Sequence, residues 1–216
     1  MDATTLRVNF FGHAAVASWN DDRGGVALGA MLPDFATMCR ARLAPAADAA
    51  LADGIALHHA TDAAFHALPV VLDLMRELDA RLDRGGCARG PRRAVAHIGV
   101  ELLLDGVLVG DAGYRASYTA GLAADPAGVR WRDADAPARF AMLLARLRDH
   151  GVPDDLRSPD AIAMRLHRML AYRPLLAPSE NDMRAIRVAL AEFRDRVAVG
   201  ADEVLRALRA ALAIGA

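Results

Sequence analysis

Apolar residues recur at helical spacing along almost the whole chain, and the interruptions divide it into segments. Residues 6–19 form a first predicted helix, ended by Asn20-Asp21-Asp22. A second runs from Gly24 toward Met31, with Pro33-Asp34 expected to break or kink it. Residues 48–65 form a third. The fourth, over 68–82, is opened by Pro69 and carries Val70, Val71, Leu74, Met75 and Leu78 at helical spacing. The glycine-rich stretch 83–90 is a loop, after which Pro91 starts a central helix at an early position where its missing donor costs little. Further segments cover 114–122, 137–150 and 158–172, the last with Ser158 as cap and Pro159 just inside. Ser179 is the expected cap of a final long helix to about Ala213. Strand-length alternation is hard to find. The pattern predicts an all-α fold, one helical-bundle domain over residues 1–216 without internal repeats.

The central helix breaks its own pattern. Between Val95 and Val109 most positions are strongly apolar, yet His97, Glu101 and Asp105 recur every fourth residue. Steps of four residues drift by only about 40° around a helix, so all three side chains share one face. One reading is the narrow wet stripe of an amphipathic helix. Against it, the stripe holds only acids and a histidine, in a chain that uses arginine freely elsewhere. Buried carboxylates require an arginine, a retained proton or a metal ion opposite them.

Composition narrows the classes. The chain is 54% hydrophobic and only 5% aromatic, and alanine and leucine dominate, which favours helix over strand. A formal net charge of −1 gives no general attraction to nucleic acid or to an anionic membrane. Cys39 and Cys87 lie far apart without metal spacing, and apolar runs are all cut by charge before they could span a bilayer. No signal peptide is recognised, so the expectation is a cytoplasmic protein without nucleic-acid or membrane partners; oligomeric state is not legible. There is no nucleophile elbow, P-loop or dinucleotide fingerprint, and Cys39 has no local histidine partner.

The remaining polar anomalies are histidines and acids inside apolar segments. His13 sits within Asn9-Phe10-Phe11-Gly12-His13-Ala14-Ala15-Val16, where a core histidine bonded to a carbonyl is the plain alternative. Asp34 follows Pro33 and reads equally well as a helix cap. His58 and Asp62 are four apart on one helix, and His66 extends that face by a turn. Taken together, His58, Asp62 and His66 on one helix and His97, Glu101 and Asp105 on another, with His13 and Asp34, form the mixed nitrogen and oxygen set of water-activating divalent metal sites. Helical bundles build such sites from facing helices, and the two sets are expected to approach one ion.

These residues resemble the acyl carrier protein phosphodiesterases, a metal-dependent family related to HD-type phosphohydrolases. Asn9, Phe10 and His13 match an Asn-Phe-x-x-His opening, and Gly29, Asp34 and Phe35 match a Gly-x-x-x-x-Asp-Phe element. Gly54, Ile55, His58 and Asp62 match Gly-Ile-x-x-His-x-x-x-Asp, Glu101 and Asp105 a later acid pair four apart, and Arg173-Pro174 with Phe193 the C-terminal pattern. Residues 113–137 match poorly. The chain also departs from the pattern: Gly106 stands where a histidine follows the second acid, Glu101 where the first is aspartate, His59 for an arginine and His66 for a further aspartate.

The resemblance implies an HD-like fold and a divalent-metal phosphodiesterase that removes 4′-phosphopantetheine from holo acyl carrier protein. His13, His58, Asp62, Glu101 and Asp105 are the implied ligands of the ion, with His97, one turn before Glu101, expected to supply the nitrogen missing at Gly106; manganese comes first, with iron and zinc sharing the same ligand chemistry. Asp34, Asp62 and Asp105 are the candidate catalytic carboxylates. Arg89, Arg92 and Arg93, just before the central helix, are the candidate contacts to phosphate or to the carrier protein, with a solvated loop as the alternative. Two other readings stay open: a phosphohydrolase of nucleotides or small phosphate esters, and a helical binding module with a decayed site at Gly106.

Overall fold

The computed structural model describes residues 10–19 and 23–213; residues 6–9 of the first expected helix and its end at 20–22 lie outside them. The fold is all-α. Among the described residues nine α-helices follow one another: α1 (Phe10–Ala17), α2 (Gly24–Met38), α3 (Ala49–Ala67), α4 (Pro69–Arg84), α5 (Arg89–Leu108), α6 (Ala112–Ala123), α7 (Ala136–His150), α8 (Pro159–Leu170) and α9 (Glu180–Ala211). The described residues contain no strand, only a single antiparallel bridge between Leu43 and Trp131. No helix among them is long and apolar enough to cross a membrane.

The chain divides into two compact units. The first draws on the described parts of Met1–Ala64, Leu108–Pro153 and Arg209–Ala216. Its centre is α1, α2 and α6. Seven of the eight α1 residues are buried, and the Ser117 hydroxyl of α6 donates to the Ala14 carbonyl at 2.7 Å. Tyr118 stacks on Phe10 and tilts against Phe11, so this core is filled by aromatic area that alanine-rich helices otherwise lack.

Helix α2 corrects one expectation. Pro33 does not break the helix, which continues to Met38. Proline removes one intrahelical hydrogen bond, a loss of about 3 kcal/mol in an isolated helix. Met31, Leu32 and Phe35, fully buried on both sides of it, hold the segment helical through packing. Asp34 is therefore no cap: it is a carboxylate in mid-helix, 1% exposed.

The second unit comprises Phe65–Val107 and Asp154–Leu208. Its helices are plainly amphipathic: α4 buries Val71, Leu74, Leu78 and Leu82, and α9 buries Ile186, Leu190, Phe193, Val197 and Val204, among others. Ser158 and Ser179 cap α8 and α9 as expected. At α9 the cap is reciprocal: Asp182 accepts from the Ser179 amide at 2.8 Å while its own amide donates to the Ser179 hydroxyl. The other Asp182 oxygen accepts from the Ala88 amide at 2.6 Å. That bond satisfies the start of α5, which begins at Arg89, two residues earlier than Pro91 suggests.

Burial of Asp182 works against its charged form, but the Ser179 and Ala88 hydrogen bonds outweigh it and hold the carboxyl below its ordinary value. The neighbouring Cys87 thiol is pushed up to about 12 by burial and by the Asp182 charge, and is inert. Asp182→Ala is expected to destabilise the protein by about 2–4 kcal/mol, the sum of a lost cap and a charged hydrogen bond. Because the folded carboxyl is the stronger acid, its contribution is complete above the ordinary value of 3.8 and is lost as pH falls through the lowered one. Urea unfolding at neutral and acidic pH checks this: the gap between wild type and variant should narrow only on the acid side.

Candidate metal centres

The first centre begins with two glycines. A Cβ on Gly54 of α3 would lie 2.3 Å from the Val26 carbonyl oxygen and 2.7 Å from the Gly29 Cα of α2. A Cβ on Gly29 would lie 2.5 Å from the Leu51 oxygen. The two helices thus meet backbone to backbone, closer than any side chain permits. One turn beyond Gly54, this brings His58 against α2, where its Nδ1 sits 2.9 Å from the Ala30 carbonyl oxygen.

A carbonyl only accepts, so Nδ1 carries the proton and donates. In the neutral ring the Nε2 lone pair is then fixed on the opposite side. Nε2 faces Asp62 Oδ2 at 3.3 Å. From α1, His13 Nε2 comes within 3.5 Å of Asp62 Oδ1 and 3.8 Å of Asp34 Oδ2. The two imidazoles lie 3.9 Å apart between centroids. All four residues are buried.

This arrangement suits a cation. An imidazole lone pair facing a carboxylate oxygen is repulsive unless a proton or a metal lies between them. Ligands about 2.1 Å from a tetrahedral ion are separated by about 3.4 Å from one another. Each Nε2 lies at about that spacing from one Asp62 oxygen, His13 from Oδ1 and His58 from Oδ2, and one ligand atom from each of the three residues falls within 4.8 Å of the other two. The backbone bond at Nδ1 is the outer support that orients a metal-binding histidine.

A second set of ligand atoms converges within the other unit. His66 Nε2 lies 3.4 Å, and His97 Nε2 3.2 Å, from the same oxygen of Glu101, Oε1. His66, expected one turn beyond Asp62 on α3, stacks its ring on His97, centroids 4.7 Å apart. Helical drift accounts for this, because eight residues rotate a side chain by roughly 80°. Asp105 is buried one turn beyond Glu101 on α5, also as a carboxylate in an apolar segment.

The glycine at 106 has a packing cause. A Cβ there would stand 2.2 Å from the Leu156 carbonyl oxygen. No side chain fits, so a histidine at 106 would require the segment before α8 to move. His97 meanwhile turns its Nε2 toward Glu101 from the preceding turn.

The three candidate arginines differ among themselves. Arg92 is tied to Asp79 at 3.1 Å and to Asp83, fastening α5 to α4, whereas Arg89 and Arg93 are exposed. A second arginine cluster was not legible in the sequence: a groove of about 430 Å³ in the second unit is lined by Arg81, Arg84 and Arg184 with Glu192, from α4 and α9. Residues a hundred apart in the chain leave no local pattern to read. Cys39 is buried, as expected of a small apolar residue.

No protein-family model matches this chain, and neither does any curated protein or solved structure.

Proposed function

We propose that this protein is a divalent-metal-dependent phosphodiesterase acting on holo acyl carrier protein at its 4′-phosphopantetheine linkage. The observation that carries the reading is the buried convergence of His13, His58 and Asp62, with His58 fixed in the ligating tautomer by the Ala30 carbonyl. A bound divalent ion would supply Lewis acidity toward a phosphoryl oxygen and make water acidic enough to ionise near neutral pH. His13, His58 and Asp62 would hold that ion. Asp34, 3.8 Å from His13, accepts the proton of the attacking water. Attack at phosphorus breaks the bond to the carrier serine oxygen, which leaves and is protonated.

The resemblance in Gly29, Asp34, Phe35, Gly54, Ile55, His58 and Asp62 supports the carrier protein as substrate. The test is incubation of the purified protein with holo carrier protein and Mn²⁺. The carrier is expected to lose the mass of its phosphopantetheine arm, with EDTA stopping the loss. Metal binding without any change in the carrier overturns the substrate. A protein that binds no divalent ion overturns the enzyme reading and leaves the binding module.

A further inference from the structure

The proposed mechanism leaves His66, His97 and Glu101 unused. We propose that they form a second divalent-metal site, reached from solvent and selective for the borderline ions zinc, cobalt, nickel and copper. Both Nε2 atoms approach Glu101 Oε1 at 3.4 and 3.2 Å, close to the spacing of about 3.4 Å between ligands of one tetrahedral ion. One ligand atom from each of the three residues lies within 4.8 Å of the other two.

The plain alternative is a surface pair at i, i+4 between His97 and Glu101. Such pairs keep both partners wet and contribute roughly 0.3–0.5 kcal/mol. Glu101 is not wet: its side chain is 1% exposed, and Oε2 is buried with no hydrogen-bond partner among the described residues. A carboxylate taken out of water with one oxygen unsatisfied is costly, and a cation on it offsets that cost.

The two histidines set the accessibility. Their side chains are 21% and 42% exposed for His66 and His97, so an ion enters and leaves past His97 without the fold opening. Two imidazoles with one carboxylate favour the borderline ions over magnesium or calcium, which prefer all-oxygen shells. Three protein ligands leave at least one coordination position, on the His97 side, for water or an anionic oxygen.

The experiment is a titration of the metal-free full chain with Co²⁺ and Zn²⁺, read by calorimetry and by the visible absorption of cobalt. Wild type is expected to bind two equivalents. His97→Ala and His66→Ala should each weaken one of them by at least about 10–100-fold and change the cobalt spectrum. Asp62→Ala should keep that equivalent and lose the other. His97 is half exposed, so its replacement leaves the fold intact, and circular dichroism checks that it does. Unchanged stoichiometry, affinity and spectrum in His97→Ala overturn the site. So does a single equivalent lost equally in His97→Ala and Asp62→Ala. Neither readout involves carrier hydrolysis, so this site and the phosphodiesterase reading fail separately.

Discussion

Asp62→Ala is expected to abolish carrier hydrolysis and the thermal response to metal while leaving the helical fold in place. In wild type, an ion that binds only the folded protein stabilises it by about 2.7 kcal/mol at a hundred times its dissociation constant. For a chain of this size that raises Tm by roughly 5–11 °C. Asp62 places one oxygen 3.5 Å from His13 and the other 3.3 Å from His58, so its loss removes an anionic ligand from beside both imidazoles. The loss should exceed the 10–100-fold typical of removing an outer support of a metal ligand. Without metal the variant should melt close to wild type: a buried carboxylate beside His13 and Asp34 is gone, and His58 still holds the Ala30 carbonyl. Thermal melts with and without Mn²⁺ decide it. A variant that keeps the full metal shift removes Asp62 from the centre; one that hydrolyses carrier normally removes it from the chemistry.

The helices and the His58–Asp62 pair of the first centre were legible because both rest on local spacing. His58 and Asp62 are four apart, and any helix through them makes one face. Helix α2 was misjudged at Pro33 because the penalty of proline is local, whereas what overrides it, the burial of Met31, Leu32 and Phe35, comes from residues far along the chain. Spacing names a helix face only to within its drift, so the stacking of His66 on His97 was not legible. The Ala30 carbonyl was invisible, since a backbone acceptor carries no residue identity. Gly106 read as a missing ligand from sequence and is a point of contact in space, where the Leu156 carbonyl occupies the place of a side chain.

The same argument gives Gly54 more weight than its single letter suggests. Gly54→Ala is expected to destabilise the protein by about 2–3 kcal/mol, or roughly 4–12 °C in Tm, as overpacking against rigid neighbours does. The added methyl would meet the Val26 oxygen at 2.3 Å, with the Ala30 nitrogen and Gly29 Cα at 2.7 Å. All three are backbone atoms of one helix, so no rotamer change relieves the contact and α2 must move away from α3. Intrinsic helix preference acts the other way, favouring alanine by about 1 kcal/mol. Gly200→Ala isolates that term, because the atom nearest its Cβ is the mobile end of Arg196 at 3.2 Å, and it should be neutral or stabilising. The site responds as well as the fold. Moving α2 withdraws the Ala30 carbonyl from His58 Nδ1, frees the ring to rotate, and should weaken divalent-metal binding at the first centre by about 10–100-fold. A Gly54→Ala protein that melts like wild type and binds metal equally well would mean that the close helix contact neither sets the spacing of α2 and α3 nor aims His58.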